Sequence, residues 1–199
     1  MRRHLIAGMG LLAVGALIFA GMDATGAIAG SAHDFSTGQS WNTTNDELCQ
    51  PCHTPHNADT TVTAAPLWNH EVTSATFTVY SSATMNATPG RPTGLSALCL
   101  SCHDGTVALD SFGGATGSTS ISGNALVGID LRNDHPVSVN LNTAVTNGDT
   151  ELQVPTGATQ LFGGNVECAS CHDAHDNANG YFLRGSNVNS ALCVDCHVK

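Results

Sequence analysis

Eight cysteines fall in four C-x-x-C pairs, Cys49/Cys52, Cys99/Cys102, Cys168/Cys171 and Cys193/Cys196, and a histidine follows each pair directly: His53, His103, His172 and His197. No cysteine is left over. With 10 His in 199 residues, a histidine behind all four pairs is no accident of composition. On a helical turn, residues i, i+3 and i+4 share one face, so two thiols and one imidazole point at the same object. An even set of cysteines also suits a disulfide framework, redox dithiols or two Cys₄ zinc sites. None of these needs a histidine after each pair. C-x-x-C-H is the attachment sequence of c-type haem, in which the thiols bond the porphyrin and the imidazole ligates its iron. The spacing therefore implies four haems c, with Cys49, Cys52, Cys99, Cys102, Cys168, Cys171, Cys193 and Cys196 binding the cofactor. His53, His103, His172 and His197 are the proximal metal ligands.

Residues 1–29 read as a signal peptide. Met1-Arg2-Arg3-His4 is basic, the 18 residues Leu5 to Met22 carry no charge, and Ala27-Ile28-Ala29 is a small-x-small cleavage site. An uncleaved anchor would use a longer apolar run, of about 20 residues. Residues 30–199 then form one exported tetrahaem domain with no stable membrane span. This mature part carries four basic side chains (Arg91, Arg132, Arg184 and Lys199) against 15 acidic ones. Such an acidic surface excludes nucleic acid and anionic lipid as partners.

The fold class expected is haem-organised and mostly irregular. Aromatics make up 5% of the chain, which also holds 21 Gly, so side chains alone supply little apolar core and the porphyrins fill it. Phe112 to Gly123 and Asn142 to Asn165 read as loops. Thr76 to Tyr80 and Pro136 to Leu141 alternate as short strands. Helix is expected in turns at the C-x-x-C-H motifs and over Ser190 to His197. The whole is a single domain around a row of four haems.

The second axial ligand separates a carrier from a catalyst. Five mature histidines lie outside the motifs: His33, His56, His70, His135 and His175; the only mature methionine is Met85. Five candidates for four irons suit all-bis-His ligation with one to spare, which leaves no open coordination position for a substrate. His56 and His175 each lie three residues after a proximal histidine, on its side of the turn, and so would ligate a neighbouring haem. His135 precedes Pro136, which favours an extended presentation. His70 is the first choice for the spare, and His33, near the mature start, is expected to serve a haem of a second molecule.

Cys49 to His56, Pro66-Leu67-Trp68-Asn69-His70, Cys99 to Gly105, Asn133-Asp134-His135-Pro136-Val137 and Glu167 to His172 together resemble the doubled-CxxCH multihaem cytochromes, and more narrowly the OmcE-type tetrahaem cytochromes of metal-reducing bacteria. The resemblance runs from about Ser31 to His197. It implies bis-His haems in a close-packed chain, little secondary structure, and self-association into extracellular filaments that conduct electrons, with His33 in the subunit contact. The function expected is electron transfer, with other redox proteins or extracellular acceptors as partners, at the cell surface or in the periplasm. The alternative is a periplasmic multihaem oxidoreductase, or its electron-donating subunit, with one five-coordinate haem.

Overall fold

The computed structural model describes residues 28–42 and 47–198. The leader expected at 1–29 lies almost wholly outside them. Within them most of the backbone is turn and loop, and regular structure is brief. Helix α1 spans Gly94–His103, α2 Leu141–Thr146, α3 Cys168–Cys171 and α4 Ala191–Val194, with single 3₁₀ turns at Gly123–Ala125 and Val188–Ser190. Strands β1 (Thr78–Val79) and β2 (Asp130–Leu131) pair in parallel, Thr78 opposite Asp130. Strands β3 (Val139–Asn140) and β4 (Asn165–Val166) pair antiparallel, Val139 opposite Val166.

Both expected strands shrink to two residues. Ser138, at φ 55°, breaks the extended run before β3, and after β3 the chain turns into α2 where a loop was expected. The Asn140 side chain starts that helix by accepting from Thr143 N–H at 2.8 Å, satisfying one of the orphan donors of its first turn. Leu141 and Ala144, three apart, supply its buried face. In α4 the helix is shorter than Ser190 to His197, because Asn189 and Ser190 are left-handed (φ 56° and 61°).

Helix α1 holds the whole second motif. It ends where Asp104 N–H bonds back to Leu100 O at 2.9 Å and Gly105 N–H to Cys102 O at 3.1 Å. Gly105 takes φ +76°, the left-handed closure that favours glycine, and a Cβ there would stand 2.7 Å from Leu126 Cδ1.

The buried apolar side chains include Trp68, Leu98, Leu100, Leu131, Leu141 and Leu192. Buried polar groups do much of the joining. The Glu167 carboxylate, 4% exposed, accepts from Ser96 N–H at 3.3 Å, from the Ser96 hydroxyl, and from the Ser138 hydroxyl at 3.0 Å. Cys168 N–H donates to Ser96 Oγ at 3.0 Å. Glu167 also closes a capping box with Ser170 at the start of α3. One carboxylate thus ties α1 to α3, and with them the second motif to the third.

Candidate functional site

Each C-x-x-C-H motif is a single helical turn. Cys52 N–H and His53 N–H return to Cys49 O at 3.1 and 2.8 Å, and Cys196 and His197 return to Cys193 O at 3.2 and 2.9 Å. The second and third motifs lie on α1 and α3. The eight cysteines are free thiols, and among the described residues no three His, Cys, Asp or Glu side chains converge on a metal-ion site. Burial, foremost, pushes Cys52 and Cys196 up to about 11 and Cys102 to about 12. Burial thus disfavours the thiolate form of these three. The Cys99 and Cys168 thiols share a hydrogen bond, which raises the first and lowers the second.

The imidazoles are oriented by main chain. His53 Nδ1 lies 2.7 Å from Pro66 O, His103 Nδ1 2.7 Å from Ala125 O, and His172 Nδ1 2.9 Å from Tyr181 O. A carbonyl only accepts, so Nδ1 carries the proton in each ring and Nε2 keeps its lone pair. Metal-bound histidines adopt this tautomer, with the outer nitrogen fixed by a backbone carbonyl.

The carbonyls come from a strap laid against the motif, and the first and third straps share one pattern. Asn69 N–H bonds to Cys52 O at 2.9 Å and Thr54 N–H to Leu67 O at 2.9 Å, with Trp68 bridged to His53. Arg184 N–H bonds to Cys171 O at 2.8 Å and Asp173 N–H to Phe182 O at 2.7 Å, with Leu183 bridged to His172. The fourth motif uses an upstream strap: Gln153 N–H bonds to Cys196 O at 2.8 Å and Val198 N–H to Glu151 O at 2.9 Å, with Leu152 bridged to His197. To aim their carbonyls, Leu67, Tyr181 and Phe182 take φ of 52°, 49° and 56°, which costs on the order of 1–2 kcal/mol each. Sequence reasoning missed these straps. Their contacts are main-chain, and Pro66-Leu67-Trp68-Asn69 and Tyr181-Phe182-Leu183-Arg184 share no residue at matching positions.

Three of the five further histidines stand opposite a motif histidine. The ring centres of His175 and His53 are 6.1 Å apart, those of His33 and His103 6.1 Å, and those of His135 and His197 6.3 Å. His135 Nδ1 lies 2.9 Å from Pro136 O, which leaves Nε2 as the nitrogen away from this carbonyl. His33 is stacked on Phe182 of its own chain, with ring centres 4.3 Å apart. Burial, then the neighbouring His103, lower its pKa to about 4, so the ring is neutral, the form that ligates metals.

His70 is different. It is 3% exposed, and its Nδ1 and Nε2 lie 2.8 and 3.1 Å from Glu71 O and Ala108 O. Its Nε2 also faces Cys102 Sγ at 3.5 Å. This ring links the segment after Trp68 to the loop after α1, with both nitrogens set against protein atoms. His56 is exposed, and neither it nor His172 has a ring partner among the described residues.

These turns fit haem c: paired thiols on one face, an imidazole with a free Nε2, and a shortage of other core. Two buried indole donors, Trp41 Nε1 and Trp68 Nε1, and one carboxylate oxygen, Asp134 Oδ2, have no hydrogen-bond partner among the described residues. Residues 162–199, which contain the third and fourth motifs, match the family model described as the doubled CXXCH motif. No curated protein matches the chain.

Proposed function

We propose that this chain is an electron-transfer tetrahaem cytochrome c in which each C-x-x-C-H turn holds one bis-His haem. The observation that carries this reading is the spacing of the imidazole pairs. Two imidazoles bonded through Nε2 to opposite sides of one metal, at about 2 Å each, have ring centres about 6 Å apart. Three pairs here stand at 6.1 to 6.3 Å.

The assignment that follows gives His53 and His175 to the haem on Cys49 and Cys52, and His103 and His33 to that on Cys99 and Cys102. His197 and His135 take the haem on Cys193 and Cys196. The straps of the first and third motifs have the same bonding pattern and both motifs continue as C-x-x-C-H-x-x-H, so the reciprocal of His175 serving His53 is His56 serving His172. His70 is the spare. Bound haem supplies a one-electron iron couple. The chain's own part is to orient the rings of His53, His103 and His172 through backbone carbonyls and to place a second imidazole opposite His53, His103 and His197. Two imidazoles holding each iron would leave no site for a substrate, which is the chemistry of a carrier rather than an enzyme.

The resemblance supports export through residues 1–29, work at the cell surface or in the periplasm with other redox proteins or extracellular acceptors, and assembly into filaments. In this reading a filament does not use His33 as its junction ligand, because His33 serves its own chain.

One observation favours a second reading. His172 has no ring partner among the described residues, so a five-coordinate iron there would make the protein a reductase or peroxidase-like enzyme. A haemochrome assay and an EPR spectrum of the oxidised protein decide between them. Four covalent haems, all low-spin, support the carrier; a high-spin signal from one quarter of the iron supports the enzyme; absence of covalent haem refutes both.

A further inference from the structure

Trp68 is 8% exposed, and its indole N–H has no acceptor among the described residues. A buried donor left unpaired costs about 1–3 kcal/mol. The residue is tied by main chain on two sides. It bridges to His53 and accepts from Asp59 N–H at 2.8 Å. The ring stands perpendicular to that of His53, at 87° and 5.9 Å between centres. An unpaired donor therefore sits in the wall of the first C-x-x-C-H site, next to its proximal imidazole.

A haem attached at Cys49 and Cys52 brings two carboxylate acceptors, its propionates, into a site with no basic side chain in the motif or its strap. We propose that Trp68 Nε1–H donates to a propionate of this haem, and that Trp68 is thereby a positioning residue that also tunes the haem's potential. The proposal rests on the haem reading above. Its physical consequence has a sign. A bare propionate favours the ferric iron; an N–H dipole on that propionate offsets part of its charge and so favours the ferrous iron. Removing the donor lowers the potential of this haem and leaves the other haems unchanged. The same hydrogen bond favours the ionised carboxylate, so its loss moves the haem's pH-dependent step to higher pH.

The test is Trp68→Phe in the full holo-protein, which keeps the ring and removes the donor. Haemochrome assay should find covalent haem undiminished, and spectroelectrochemistry should find one midpoint lowered. The expected change is a two- to tenfold shift in the ratio of oxidised to reduced haem at fixed poise, the upper end being about 59 mV for one electron. Midpoints and their pH dependence identical to wild type overturn the proposal. A second measurement needs no variant: in the reduced wild-type protein, the Trp68 indole proton, assigned by its proximity to the His53 ring, should be strongly downfield and slow to exchange. An upfield, fast-exchanging proton overturns the proposal, as does a proton that is bonded but indifferent to propionate titration, which marks a buried water as the acceptor. Loss of covalent haem from the wild type would instead refute the haem reading itself.

Discussion

Glu167→Ala should cut the tie between the second and third motifs. The carboxylate is buried and accepts three donors: Ser96 N–H, the Ser96 hydroxyl and the Ser138 hydroxyl. The Ser138 hydroxyl has a fallback, Thr93 O at 3.3 Å, but the two Ser96 donors, on a residue 0% exposed, have none. Each stranded donor costs about 1–3 kcal/mol. The Ser170 hydroxyl keeps its bond from the main-chain N–H of residue 167, while release of a buried carboxylate returns part of the sum. The net loss is about 3 kcal/mol, and for a chain of this size each kcal/mol lowers Tm by about 2–4 °C. Thermal melting of the holo-protein, followed together by far-UV circular dichroism and Soret absorbance, should show Tm down by about 6–12 °C with haem content unchanged. A Tm within about 1 °C of wild type would refute the reasoning, because it would mean that the network contributes nothing net.

His175→Ala should turn one quarter of the iron high-spin by EPR, and the affected haem should be the one on Cys49 and Cys52, opposite which His175 stands; a defect at the haem on Cys168 and Cys171 contradicts the pairing. His70→Ala should leave every iron low-spin yet lower Tm, since its ring holds two segments together and lost carbonyl contacts cost about 1–3 kcal/mol; a new high-spin signal would return His70 to the ligands. Gly105→Ala should cost about 1–2 kcal/mol through its left-handed φ, with the contact to Leu126 relieved by an exposed and movable side chain; an unchanged denaturant midpoint would show that α1 needs no such closure. The chain with all eight cysteines replaced by alanine should give a coil-like circular dichroism spectrum, because few large apolar side chains are buried; a dispersed NMR spectrum from that chain counts against a haem-built core.

The sequence by itself determined the chemistry. The i, i+3, i+4 spacing of two thiols and an imidazole is a local property of one turn, so Cys49, Cys52 and His53 and their three counterparts are legible without any partner. Scarcity of regular structure was legible for the same kind of reason: runs rich in Gly, Thr and Asn carry no helical or strand period. Helix α2 was not, since Asn140 caps it with a side chain and its buried face is only Leu141 and Ala144, too short to show a period. Only the tertiary structure decided which histidine faces which. His175 is 122 residues from His53 and His33 is 70 from His103 in sequence, and nothing local encodes either approach. The straps were hidden more deeply still, because Pro66, Ala125 and Tyr181 act through backbone oxygens that every residue possesses. What selects them is the path of the chain, and that path is set by buried polar ties such as Ser96 to Glu167, whose partners lie 71 residues apart.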